Sequence, residues 1–242
     1  MDVARLIDQL ESEGRRLVAG LAAADWSAAV PGTDWDLRTV VRHLGAVHRW
    51  ATDILVRGLA TNETGGSKAF HEVMDDQDLS GWLVAVHSML VVTLRDADDD
   101  LAAFTLMRSP NPRHFWARRQ AHETAIHRAD VQAALGAPGV EAFDPAFAQD
   151  GIAELVDGFA REPQFASADP GVLALRCTDG PSWLITFGDG TTRAARTDDT
   201  SAATATVTGT SSALYLWVWN RPADVVQDGD VSTIASWQRI HI

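Results

Sequence analysis

The sequence predicts an α+β chain: an antiparallel four-helix bundle followed by a small α+β domain. Three observations predict it. Four long stretches before Gly136 carry apolar residues at helical spacing. Pro138-Gly139 and Asp144-Pro145 then interrupt that pattern. From Gly171 onward the apolar period becomes two, as in a half-buried strand. The expected domains are 1–140 and 141–242.

The first helix spans about 2–24, with Val3, Leu6, Ile7, Leu10, Leu17, Val18 and Leu21 on one face and charge on the other. A turn at Pro31-Gly32-Thr33-Asp34 precedes the second helix, which Asp34 or Asp36 can cap and which ends near Gly58. Residues 60–68 are small and polar and read as a loop. A third helix runs from about Leu79 to Leu94, with Trp82, Leu83, Val86, Met89 and Leu90 inward, and the acidic run Asp96–Asp100 breaks it. A fourth opens near His114 and ends at Gly136, a normal C-cap residue.

Residues 146–161 read as one more helix. Strands are expected at 172–177, 182–187, 191–196 and 202–208, the second and third joined by Gly188-Asp189-Gly190, a hairpin signal. Gly209–Ser212 caps a short apolar helix, ALYLWVWN. The chain closes with a helix over 230–237 and a short strand, RIHI.

The chain has 242 residues and a formal charge of −13. That charge argues against nucleic-acid and anionic-membrane partners, which would repel it at long range. No stretch approaches ~18 uninterrupted apolar residues, so no membrane span is expected. The charged, amphipathic start does not resemble a secretory signal, and one cysteine, Cys177, cannot form an internal disulfide. Together these favour the cytoplasm. A monomer or weak homodimer is expected.

Histidine placement carries the functional signal. Glu123 and His127 lie four apart on the fourth helix, about 40° from each other around its axis. One metal ion can take a carboxylate oxygen and an imidazole nitrogen at that spacing. His122 is turned by about 100° from Glu123 and points elsewhere. On the second helix His43 shares the apolar stripe of Val40, Val47 and Trp50, whereas His48 lies about 140° away from it. An E-x-x-x-H pair alone is a weak motif, and a histidine in an apolar stripe is usually a satisfied core residue. Bundles, however, build metal sites from inward side chains on facing helices. His43, Glu123 and His127 would give three ligands and an open position, the arrangement of a catalytic site.

The segments GTDWDLRTVVRHLGAVHRWA and ARRQAHETAIHRADVQAALG resemble the two signature segments of the mycothiol-dependent maleylpyruvate isomerase family. SALYLWVWNRP, the following GD and the terminal Trp237 are similar to that family's small C-terminal domain. The resemblance implies a DinB-like metal-binding bundle and a sterol-carrier-like second domain. It implies a divalent metal, usually zinc, on His43, Glu123 and His127. It also implies mycothiol or a similar thiol as cosubstrate, and a catalytic Arg221 that pairs a substrate carboxylate.

An open metal site can bind a thiol and lower its pKa, so that thiolate is present at neutral pH. The thiolate can add to an activated double bond, allow rotation and leave, or it can displace a leaving group. The expected function is therefore thiol-dependent isomerisation or S-transfer on a small electrophile. The alternative is a non-catalytic small-molecule binding or sensor protein on the same scaffold.

Overall fold

The structure, a computed structural model, describes residues 1–72, 75–137, 139–162 and 169–240. Two compact units follow one another, Met1–Glu141 and Ala142–Ile242.

The first unit is the four-helix bundle: α1 (Val3–Gly20), α2 (Leu37–Arg57), α3 (Asp76–Asp96) and α4 (Pro112–Ala134). Both α1 and α2 pack against α3 and α4. Local chemistry sets the boundaries. Asp36 caps α2 by accepting from the Thr39 amide at 2.8 Å, and Gly58 ends it at φ 58°. Asn111 caps α4 by accepting from the His114 amide at 2.8 Å, and Pro112 occupies the first turn, where no amide hydrogen is needed. Along α2 and α4, His43 meets Glu123 and Trp50 meets Trp116, so the two helices run antiparallel. Gly45 on α2 makes room for α3: a Cβ there would stand 2.1 Å from the Trp82 ring. Gly45→Ala is expected to destabilise the bundle by about 1–3 kcal/mol through overpacking, measured as a lower urea midpoint.

Helix α3 departs from expectation on one face. Met89 is exposed, as are Val84 and Val92. The buried stripe is Leu79, Leu83, His87, Leu90, Val91 and Leu94, so the inward face is centred one step away from Met89 and includes a histidine. Those exposed apolar residues also make α3 long and apolar enough to cross a membrane by length and composition, the one such helix among the described residues. Its buried face packs against α1 and α2.

The second unit opens with α5 (Pro145–Ala153). The single helix expected to reach 161 is interrupted: a π-helical turn covers Glu154–Gly158 and a 3-10 turn covers Phe159–Arg161. A five-stranded sheet follows in the order β3-β2-β1-β4-β5, with β1 Gly171–Cys177, β2 Trp183–Gly188, β3 Thr191–Arg196, β4 Ala205–Gly209 and β5 Val226–Gly229. β1 and β4 are parallel, and the other pairs are antiparallel. The β2–β3 turn has two residues, Asp189 at φ 51° and Gly190 at φ 70°, as a type I′ hairpin requires. Leu173, Leu175, Trp183, Ile185 and Val207 build the buried face with α6 (Ser211–Val218) and α7 (Val231–Gln238). β5 was not expected: all four of its residues are exposed at the sheet edge, so it carries no apolar alternation. Of the expected terminal strand, Arg239 and Ile240 are turn and coil, and His241 and Ile242 lie outside the described residues.

Candidate metal centre

Three side chains converge inside the bundle. One ligand atom each from His43, Glu123 and His127 lies within 4.8 Å of the others. His43 Nε2 stands 3.0 Å and His127 Nε2 3.3 Å from the same oxygen, Glu123 Oε1. His43 and Glu123 are half-buried, and His127 is buried. Among the described residues no other group of three His, Cys, Asp or Glu donors converges in this way. His48 and His122, which helical spacing turns away from His43 and Glu123, are fully buried and stand outside the cluster.

Neighbouring side chains hold the donors in place. Asp130 Oδ2 lies 2.8 Å from His127 Nδ1, so that nitrogen carries the proton and Nε2 faces the other donors. Arg119 Nη2 donates to Glu123 Oε2 at 3.0 Å, one turn back on α4, and leaves Oε1 to the histidines. Trp35 precedes the α2 cap, positioned by the Val30 amide bonded to its carbonyl oxygen. Its ring stacks on His127, centroids 5.8 Å apart at 20°, and tilts against His43 at 4.8 Å. Trp35 is therefore a wall of the site.

Electrostatics follow from this geometry. Burial disfavours charge on His127, but the hydrogen bonds to Asp130 and Glu123 outweigh it and raise its pKa to about 9. Burial pushes the Glu123 carboxyl up, yet bonds to His127 and His43 and the Arg119 charge hold it well below the carboxylate range. Two imidazole nitrogens and an ionised carboxylate oxygen at one point are a donor set that suits a zinc-like divalent cation. The residues present fit such an ion and leave coordination positions open.

Arg221 belongs to the second unit, just after α6, where Nη1 donates to the Trp219 carbonyl oxygen at 2.9 Å. Cys177 is half-buried among polar partners, with Ser211 Oγ at 3.1 Å and Gln149 Nε2 at 3.2 Å. Burial pushes its thiol pKa up, which disfavours the thiolate.

A helical bundle with an inward His–Glu–His donor set, joined to a small mixed-sheet domain, defines a class of two-domain proteins with a candidate metal site. The chain belongs to the mycothiol maleylpyruvate isomerase family. The family's N-terminal domain model matches residues 7–132 and its C-terminal domain model matches residues 146–235. The fold is similar to a crystal structure of the mycothiol-dependent maleylpyruvate isomerase, with TM-score 0.64, 13% identity and 96% of each chain covered. A histidine-to-alanine mutant of that enzyme matches with the same values. No curated protein sequence matches the chain.

Proposed function

We propose that the protein is a metal-dependent enzyme that uses mycothiol or a similar small thiol to isomerise, or transfer the thiol to, a small electrophile. The convergence of His43, Glu123 and His127 carries this reading, and family membership supports it. A divalent ion such as zinc, held by these residues, would supply a Lewis acid that keeps a bound thiol ionised at neutral pH.

The protein's own groups have separable tasks. His43 Nε2, His127 Nε2 and Glu123 Oε1 hold the ion. Asp130 keeps the His127 proton on Nδ1 and so presents Nε2. Arg119 fixes the carboxylate rotamer of Glu123. Trp35 covers the imidazole faces and keeps water from one side of the site. Arg221 would pair a substrate carboxylate through its planar guanidinium.

Elemental analysis of the untagged protein tests the reading. About one equivalent of zinc or a similar divalent metal is expected in wild type, and none in His127→Ala. Thiol-dependent isomerisation of a cis-configured unsaturated dicarboxylate should then follow metal content. Absence of metal from wild type, with no thermal stabilisation on adding zinc, would favour a metal-free binding or sensor protein. Asp130→Asn should retain the fold but bind zinc about 10–100-fold more weakly, as read by chelator competition.

A further inference from the structure

Below the metal cluster the α2–α4 interface holds a second polar contact. His48 Nε2 lies 3.0 Å from Thr124 Oγ1, and both residues are fully buried. The Thr124 hydroxyl donates its one hydrogen to the Gln120 carbonyl oxygen at 2.7 Å. It must therefore accept from His48, which fixes His48 as the tautomer protonated on Nε2. The contact is directional: His48 N–H to Thr124 hydroxyl to Gln120 carbonyl.

Its position matters as much as its chemistry. His48 is five residues beyond His43 on α2, and Thr124 directly follows Glu123 on α4. The same two helices thus meet through the ligand pair His43–Glu123, through His48–Thr124, and through the Trp50–Trp116 rings, whose centroids are 5.3 Å apart. The aromatic contact is edge-to-face, its planes at 86°, and joins the helices without a hydrogen bond between them. A hydrogen bond tolerates only a few tenths of an ångström.

Stability does not account for this arrangement. Among the described residues, His48 Nδ1 is buried without a partner, as are both side-chain polar atoms of Gln120. Each such atom costs about 1–3 kcal/mol, whereas a neutral hydrogen bond contributes about 1 kcal/mol net. Apolar residues of similar shape would pack this layer at lower cost.

Resting on the metal-site reading above, we infer that His48 and Thr124 are positioning residues whose hydrogen bond locks α2 against α4 in the register that holds His43 and Glu123 on one ion. They touch neither metal nor substrate.

The test measures zinc affinity of the full-length protein by competition with a chromophoric chelator. The d–d spectrum of the cobalt(II) form reports ligand geometry in parallel. Thr124→Val keeps the shape and removes the hydroxyl, and about tenfold weaker zinc binding and an altered cobalt spectrum are expected. Thr124→Ser and His48→Gln keep the acceptor and the donor, and both should stay within about threefold of wild type. Leu90→Ala lowers thermal stability through a core cavity on α3, a helix that carries neither partner of this contact, and its zinc affinity should be unchanged. Equal zinc affinity in wild type and Thr124→Val would overturn the inference alone. So would an equal loss in Leu90→Ala, which would mark a general stability effect. Failure of wild type to bind zinc would overturn the metal reading, and this inference with it.

Discussion

Arg128→Met is expected to destabilise the protein by about 3–5 kcal/mol. Arg128 is fully buried on α4, and its Nε bonds to Glu13 of α1, itself 2% exposed. Its Nη1 donates to Gln132 Oε1 at 2.7 Å, and its Nη2 to the Glu141 carbonyl oxygen at 3.1 Å. One guanidinium thus ties α1, α4 and the end of the first unit together. Removing it leaves the Glu13 carboxylate buried, facing the exposed Arg16 guanidinium at 3.7 Å. The loss is therefore mainly the cost of a stranded charge, not the value of a bond. The double variant Glu13→Leu/Arg128→Met separates these terms. It removes both charges and should recover most of the stability, as apolar replacements of buried ion pairs commonly do. Urea denaturation with an unchanged slope is the measurement. A loss under about 1 kcal/mol in the single variant would show that water reaches Glu13. A double variant no better than the single would show that the ion pair itself is net stabilising.

The same charges show what the sequence could and could not reveal. The four helices were legible because amphipathic spacing, an Asp or Asn before each of α2 and α4, and glycines past their ends all agree. The sheet was legible where apolar residues are buried: β2 alternates, β1 is a short apolar run buried at Leu173, Ala174 and Leu175, and Asp189-Gly190 has the φ angles of its turn. β5 was not, because an exposed edge strand has no apolar face to read. The π turn at Glu154 was hidden because residues 146–161 keep a helical composition while one extra residue enters the turn. At the site, spacing could place Glu123 and His127 on one face of α4. That His43 meets them depends on α2 lying antiparallel to α4, a tertiary fact. The Arg119–Glu123 contact was implicit in i, i+4 spacing. His127 was legible as a candidate ligand by its spacing, but the burial of Gln120, His122 and Arg128 on α4 had no sequence signal, since a helix with so many polar residues inside does not look like a core helix.

His87 gives the second large expected effect: a fall of about 3 kcal/mol in unfolding free energy between pH 6.5 and 4. The imidazole lies 7% exposed on α3, its ring 5.2 Å from that of His48. Burial dominates and lowers its pKa to about 4, with Glu11 opposing and Arg15 reinforcing the shift. The sign follows from which state takes the proton first. Above pH 6.5 both folded and unfolded forms are neutral there, and the group contributes nothing to the pH dependence. As pH falls from 6.5 toward 4, the unfolded chain protonates and the folded one does not, so stability drops. Below about 4 the folded form protonates too and the loss levels off. His48 is depressed for the same reason, by burial and then by His87, and it adds to the slope in the same direction. The variant that isolates His87 is His87→Phe, which keeps a flat ring against Gly14, where a Cβ would stand 2.2 Å from His87 Nε2. Both His87 nitrogens lack partners among the described residues, so removing them should leave stability at pH 7.5 unchanged or higher. Between pH 6.5 and 4 the variant should lose less stability than wild type by about 3 kcal/mol. Measurements on metal-stripped protein keep metal release out of the comparison. Parallel acid profiles for wild type and variant would mean that His87 takes up its proton in the folded state near the ordinary value. Solvent would then enter the bundle at the Gly14 notch, and the buried polar layer beneath the metal cluster would be hydrated rather than dry.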